Sequence, residues 1–430
     1  MLRTRAVALA AMCMFAAWAG DGAGLRAADL RIVSSTGHVP LLRRLVDAWA
    51  AGREGITAEV RPGPKQISRE TEIDLRLSTG GMGDLFTYSA GALFRAIQFR
   101  GRLVDLTWLP LQRRVDPAFR AVVSADGRIF GVPLGGASVG GILYNRRLYA
   151  ELGLTEPESW ARFMENNRKI AAAGRIPVMQ TYASPWTSQM LVLADYYNVS
   201  RSAPDFATDL VARRASFAGT PAALRSFARV EELRRAGFLN ADRGELGLED
   251  GLAALADGRA AHYPMHDFGL EVLHDMAPDA LETIGFFPVP PDEAGTAGLT
   301  LWMPPAFYVP KSGNNLMNVL DFLDFVAGPQ GCAIVARSVR KIRPLIADCG
   351  PHVDVPPALR NLDRYLLDPQ RHTFALEFLA PLKGPSLEQI CIALGLGVID
   401  AEEAARRYDR DIERRALELG LDGWHPRSGG

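Results

Sequence analysis

Short apolar runs of two different periods alternate through residues 30–97, and this alternation limits the fold more than any other feature of the chain. LRIVSS (30–35), ITAEV (56–60) and DLFTYS (84–89) are rich in β-branched and aromatic residues and predict strands. Between the first two, Leu42, Leu45, Val46 and Trp49 recur at helical spacing after Pro40, a residue tolerated in a first helical turn. Ile73 and Leu77 mark a second helix face that stops at Gly80-Gly81, and Leu93 and Ile97 mark a third. Strand–helix units joined by such short links build a mostly parallel α/β sheet.

Further along, DGRIFGVPLGG (126–136) predicts a turn, a strand and a Gly-rich crossing, and GILYN (141–145) predicts another strand. Helical periodicity fills much of 146–275, as in SWARFMENNRKIAAAG and TPAALRSFARVEELRRAG. Two Pro-rich stretches, FFPVPPDE and MPPAFYVP, bracket 300–310 and suit passages between two lobes. GGASVGG (135–141) concentrates glycine at the expected first passage, where wide φ/ψ freedom would absorb a hinge motion. Near the C-terminus Asp400 is placed to cap a helix, with Glu403 reaching back as in a capping box. Ala404, Tyr408, Ile412 and Ala416 line one face of that helix, and Gly420 ends it.

The beginning of the chain reads as an export signal. Arg3 and Arg5 precede AVALAAMCMFAAWA (6–19), which closes on Ala17-Trp18-Ala19. That run of about 14 residues is shorter than the roughly 20 needed to span a bilayer. We assign 1–27 to a signal peptide, with folded structure starting near Asp29, and expect a periplasmic protein. Cys13 would permit a lipid-anchored form, but Ala10-Ala11-Met12 lacks the Leu and small-residue pattern usual before a lipidated cysteine. No later stretch approaches membrane-spanning length. A net charge of −1 provides no long-range field for nucleic acid or anionic lipid, so neither is an expected partner. Of the four cysteines, Cys332, Cys349 and Cys391 would remain after cleavage. An oxidising compartment permits a Cys332–Cys349 bridge, while the default for thiols outside any CxxC or His-rich cluster is inert burial.

Three strings resemble catalytic motifs and fail on context. Gly136-Ala137-Ser138-Val139-Gly140 fits G-x-S-x-G, which works only on a sharp strand-to-helix turn, whereas the residues that follow read as strand. Ser338-Val339-Arg340-Lys341 fits S-x-x-K without the S-D-N or K-T-G that would accompany it. His262 and His266 stand four apart, yet Pro264 breaks the helix that such a metal pair requires. No phosphate loop or dinucleotide fingerprint occurs, and no cofactor or metal is expected. What remains is rings beside hydroxyls, amides and carboxylates, in TYASPWTSQ (181–189), AAHYPMHDF (260–268) and GLTLWMPP (298–305). Sugars present apolar C–H faces and many hydroxyls, so this mixture suits them, with Trp186 and Trp302 as stacking candidates. Pro185 and the polar Thr187, Ser188 and Gln189 would set Trp186 at a helix start, capped by Ser184 or Thr187.

Taken together, GMGDLFTYSAGALF (81–94), LVDLT (103–107), DGRIFGVPLGGASVGGILYNRRLYAELGL (126–154), ESWARF, PWTSQ, GLAALADGRAAHYPM, IGFFPVP, DFLDFVAGPQG and the tail from PLKGPSLEQ onward resemble the extracellular solute-binding proteins, family 1, of carbohydrate ABC transporters. The likeness covers nearly all of the chain after the leader. It implies a two-lobed periplasmic-binding-protein fold of the α/β class, type II-like, with the ligand between the lobes. Residues 29–139 and 309–350 would form lobe one, 140–308 and 351–424 lobe two with the C-terminal helices, and 425–430 a tail.

The resemblance also implies capture of a sugar or polyol without chemical change, as a monomer, for an inner-membrane ABC permease. By position it nominates Thr36 and His38 in the loop after the first strand, and Asp84 and Ser89 at a strand end facing the cleft. It adds Trp186, His266, Asp267 and Trp302 in lobe two, and Arg343, where an Arg-Pro pair replaces the family's Ile-Pro. A cleft arginine would suit a uronate or phosphorylated ligand. The alternatives are a binding protein for another small solute or for a sensor, and a secreted carbohydrate hydrolase.

Overall fold

The computed structural model describes residues 29–34, 38–51, 53–63, 69–338, 343–349 and 356–424. The leader, Thr36 and the tail lie outside them. The chain begins with β1 (Leu30–Ser34), β2 (Ala58–Pro62) and β3 (Leu85–Tyr88), all parallel, linked by the helices Val39–Ala50 and Arg69–Thr79. The first helix forms as its periodicity predicts: Val39, Leu41, Leu42, Leu45, Val46 and Trp49 are its buried face. Its Trp49 indole N–H donates to Asp321, 2.8 Å away. A small hairpin, β4 (Ser124–Ala125) and β5 (Arg128–Ile129), precedes β6 (Gly131–Pro133).

From there the chain enters a second sheet along β7 (Gly136–Asn145), every one of whose ten residues is buried. That sheet gathers β8 (Ile176–Val178), β9 (Ala260–His266), β10 (Ile284–Phe287) and β11 (Leu299–Trp302). The chain returns through β12 (Ala306–Tyr308) to lobe one, touches β7 again with β13 (Arg343–Pro344), and ends its strands with β14 (His372–Phe374). The two sheet orders are β2-β1-β3-β12-β6 and β14-β11-β7-β9-β8, with β10 and β13 also paired to β7. Side chains of β7 alternate between two cores, Ile142 and Tyr144 on one face of the sheet, Val139 and Leu143 on the other.

The sheets change at Leu134–Gly135 and at Met303–Pro305, and the two passages are tied by the Leu134 N–H donating to the Pro305 carbonyl at 2.9 Å. Gly135 supplies the turn, with φ at 109°. Gly140 and Gly141 are strand residues that serve clearance, not freedom. A side chain at Gly140 would collide with the Trp302 ring, and one at Gly141 with the Phe286 ring and the Phe287 carbonyl.

Cys332 and Cys349 are joined in a disulfide, their Cα atoms 5.1 Å apart, while Cys391 stays a buried thiol. Asp400 does cap the helix Ala401–Glu418, accepting the Glu403 N–H at 2.8 Å. The expected capping box is only half formed, however, because the Glu403 carboxylate turns to Arg407, Arg406 and Arg410, which hold its pKa at about 2. Among the described residues no single helix is long and apolar enough to cross a membrane.

His262 lies at the centre of lobe two. Its Nδ1–H donates to the Pro177 carbonyl at 2.8 Å, so Nε2 accepts from the Tyr149 hydroxyl at 2.6 Å. On strand β9 it is about 13 Å along the chain from His266, too far to share an ion. Burial drives the imidazole pKa down to about 3, against about 6.5 in an unfolded chain. Between those values the unfolded state binds the extra proton, so stability is complete above pH 6.5 and drains away as the pH falls towards 3. Unfolding in urea should show a loss of about 2–3 kcal/mol from this group between pH 7.5 and pH 4.5. In His262→Gln that part of the acid sensitivity should disappear, and an unchanged slope would rule the histidine out as its source.

Candidate ligand-binding cleft

In open α/β sheets ligands gather at the carboxyl ends of the parallel strands. For lobe one that edge holds the ends of β1 and β3, where the Ser34 and Thr87 hydroxyls lie 2.5 Å apart. Ala306 at the start of β12 pairs with Tyr88 and Pro133, so both passages between the lobes leave from this edge. Ser89 stands here, half-buried, its carbonyl accepting from the Tyr308 hydroxyl at 3.1 Å. His38 precedes the helix that follows β1, also half-buried on this side.

Asp84 is a correction. It precedes β3 and so sits at the opposite end of that strand from Ser89, only 1% exposed. Its carboxylate accepts from the Arg31 backbone at 2.9 Å and side chain at 3.2 Å, from the Asn314 N–H at 3.1 Å and from the Asn315 amide at 3.3 Å. Those hydrogen bonds outweigh the cost of burial and keep its pKa below the usual carboxylate value. Asp84 clamps the first strand and the 314–315 loop, away from the rim.

Lobe two presents the matching edge. Trp302, the last residue of β11, pairs with Ser138, and His266, the last residue of β9, pairs with Gly140. The His266 and Trp302 rings are 4.2 Å apart. The Trp302 indole N–H donates to the Glu377 carboxylate at 3.1 Å, and the other Glu377 oxygen is paired with Lys383. Asp267 follows, 3% exposed, its N–H donating to the Val139 carbonyl at 3.0 Å. Phe268 then meets Trp186 edge-on, with ring centroids 6.5 Å apart. The structure therefore brings Trp186, His266, Asp267 and Trp302 to one end of β9.

The surroundings of Trp186 differ from expectation. It stands, half-buried, on the short 3₁₀ turn Pro185–Gln189. The neighbouring hydroxyls point inward: Thr187 donates to the Thr181 and Ser184 carbonyls, and Ser188 to those of Pro185 and Glu388. The Gln189 amide donates to the Glu388 carboxylate at 3.3 Å. Ser184 caps a different helix, accepting the Leu248 N–H at 3.1 Å. For Arg343 the backbone is described and pairs with Ala137. Glu377 and Lys383 were not picked out from the sequence, because a Glu–Lys spacing of six is not the i+3 or i+4 of a helical pair and the indole they serve lies 75 residues away.

The two edges touch. Gly91, with φ at 69°, lies so close to the Glu377 carbonyl and the Phe378 ring that a Cβ there would collide with both. A second link runs from Arg415 on the C-terminal helix to Glu70 on the helix Arg69–Thr79, at 2.8 Å. The chemistry gathered at these edges is rings, hydroxyls and paired charges. Ser138 is 8% exposed in the middle of a ladder and lacks the turn a nucleophile needs. Among the described residues no three or more His, Cys, Asp or Glu groups could hold a metal ion together.

Comparison with known proteins agrees with this architecture. The chain superposes on a chitin oligosaccharide binding protein with a TM-score of 0.76 at 18% identity, covering 91% of this chain and 100% of the other. It superposes on RafE of Streptococcus pneumoniae in complex with raffinose with a TM-score of 0.74 at 16% identity, covering 90% and 99%. A solute-binding protein of an ABC transporter from Thermotoga lettingae, bound with alpha-D-tagatose, gives 0.70 at 15% identity, covering 91% and 99%. At such identities the likeness establishes the two-lobed fold. No curated protein matches significantly in sequence. The family model for bacterial extracellular solute-binding proteins matches residues 35–331, well over half the chain. By that match, this protein belongs to the bacterial extracellular solute-binding proteins, an exported family that binds small molecules without transforming them.

Proposed function

We propose that the protein captures a sugar, as a mono- or oligosaccharide or a polyol, between its lobes in the periplasm and hands it to an inner-membrane ABC permease. The observation that carries this reading is the lobe-two edge, where the His266 and Trp302 rings meet at 4.2 Å, tilted by 58°, beside the Glu377–Lys383 pair and near the Gly91 edge of lobe one. Rings set among charged and hydroxyl groups are the mixture that suits a polyhydroxylated ligand. Relatives of the same fold have been solved with raffinose, stachyose and alpha-D-tagatose, which supports a carbohydrate ligand. In this reading 1–27 is the cleaved export signal, the mature chain works as a monomer, and the segments on either side of the Leu134–Gly135 and Met303–Pro305 passages are the moving lobes.

Thermal shift against a panel of sugars, polyols and sugar acids tests the assignment. A ligand at about 100 times its dissociation constant should add about 2.7 kcal/mol of stability. A panel without a single stabilising carbohydrate would remove the support for sugar capture. Closure is tested at Gly91, where Ala would set a methyl against Glu377 and Phe378 and would also strain a positive φ. Gly91→Ala should bind the ligand about tenfold more weakly, about 1.4 kcal/mol, and should compact less on saturation in small-angle scattering. Wild-type affinity and compaction in that variant would argue against contact of the lobes at this point.

Trp186 has two possible roles with opposite signatures. As a stacking ring, its replacement in Trp186→Ala should cost roughly 1–3 kcal/mol of affinity with little change in the ligand-free melting temperature. As filler between the 3₁₀ turn and Phe268 it would cost folding stability instead, roughly 3–5 kcal/mol. A destabilised variant with unaltered affinity would exclude the stacking role.

A further inference from the structure

The Trp302 indole is fixed from three directions. Its six-membered ring lies against the bare Cα of Gly140, and the His266 ring crosses it at 58°. The third hold is electrostatic: the indole N–H donates to the Glu377 carboxylate at 3.1 Å. A hydrogen bond to an ionised acceptor is stronger than one between neutral groups. The carboxylate is itself pinned, because its second oxygen is paired with Lys383 and both side chains are largely buried. Glu377 cannot turn away from the indole without separating that pair.

The position of Glu377 in the fold adds a second property. It stands on the one-turn helix Leu376–Leu379, directly after β14, and its backbone carbonyl is what lobe one meets at Gly91. One residue thus holds the ring with its side chain and receives the opposing lobe with its main chain. Lys383 neutralises the carboxylate, so this orientation is achieved without placing an uncompensated charge on the wall.

We propose that Glu377 is a positioning residue for sugar binding, setting the plane of the Trp302 indole at the point where lobe one arrives. The proposal rests on the reading of Trp302 as a sugar platform. A ring held in one plane before the ligand arrives loses less rotamer freedom on binding, which is how preorganisation raises affinity.

Glu377→Gln keeps an acceptor for the indole, and Glu377→Ala does not. In ligand-free protein the indole N–H resonance of Trp302 is identified by its loss in Trp302→Phe. Its exchange with solvent should be about tenfold faster in Glu377→Ala and close to wild type in Glu377→Gln. A residue that merely filled space would affect stability in both variants without this difference between them. With raffinose as the probe, Glu377→Ala should weaken binding about tenfold, and the loss should vanish in a Trp302→Phe background, where no N–H remains to be held. Unchanged N–H exchange in Glu377→Ala overturns the positioning role, and so does a full additive loss of raffinose affinity in the double variant. Faster exchange together with wild-type raffinose binding by Trp302→Phe would keep the indole contact but overturn its role in sugar binding, and with it the platform reading of Trp302. If wild-type protein does not bind raffinose, the exchange measurement still decides whether Glu377 sets the ring.

Discussion

The position of β7 governs the rest of the molecule. It is buried along its whole length and pairs with β9, β10, β11 and β13, so its register fixes four neighbours at once. The hydrogen bond from Leu134 to Pro305 fastens the two passages immediately before and after those pairings. A slip of one residue would turn every β7 side chain to the other face of the sheet and exchange its two cores. The same register places Ser138 opposite Trp302 and Gly140 opposite His266, and so puts a residue without a side chain under the indole. The composition of the cleft edge is thus a consequence of strand pairing deep in lobe two.

What the sequence disclosed was what local physics decides. Helices with a capping residue and an apolar stripe form where they were expected: Ser159 caps Trp160–Ala172, and Asp400 caps Ala401–Glu418. The alternating units of the first hundred residues became three parallel strands for the same reason. Gly140 and Gly141 look identical to flexible glycines until Trp302 and Phe286 are packed against them. Nothing within ten residues of either glycine carries that information.

The candidate site divides along the same line. Trp186 and Trp302 were nominated as rings beside polar groups, His266 and Asp267 by family position, and the fold gathers these four at one end of β9. Asp84, also nominated by family position, is consumed by Arg31, Asn314 and Asn315, two of which lie about 230 residues away. Thr187 and Ser188 likewise offer hydroxyls in sequence and spend them on carbonyls in the fold. Whether a polar side chain faces a ligand or its own protein depends on distant partners, and Glu377 was invisible for that reason.

The cysteines have a practical consequence. Cys332 and Cys349 are locked to each other, and burial keeps the Cys391 thiol protonated and out of reach. Among the described residues, no reactive thiol is therefore displayed to solvent. A single cysteine introduced at Ser89 would be the one thiol open to maleimides among the described residues, on an edge that meets the opposite lobe. An environment-sensitive dye attached there would convert the protein into a reagentless optical sensor without prior removal of native cysteines.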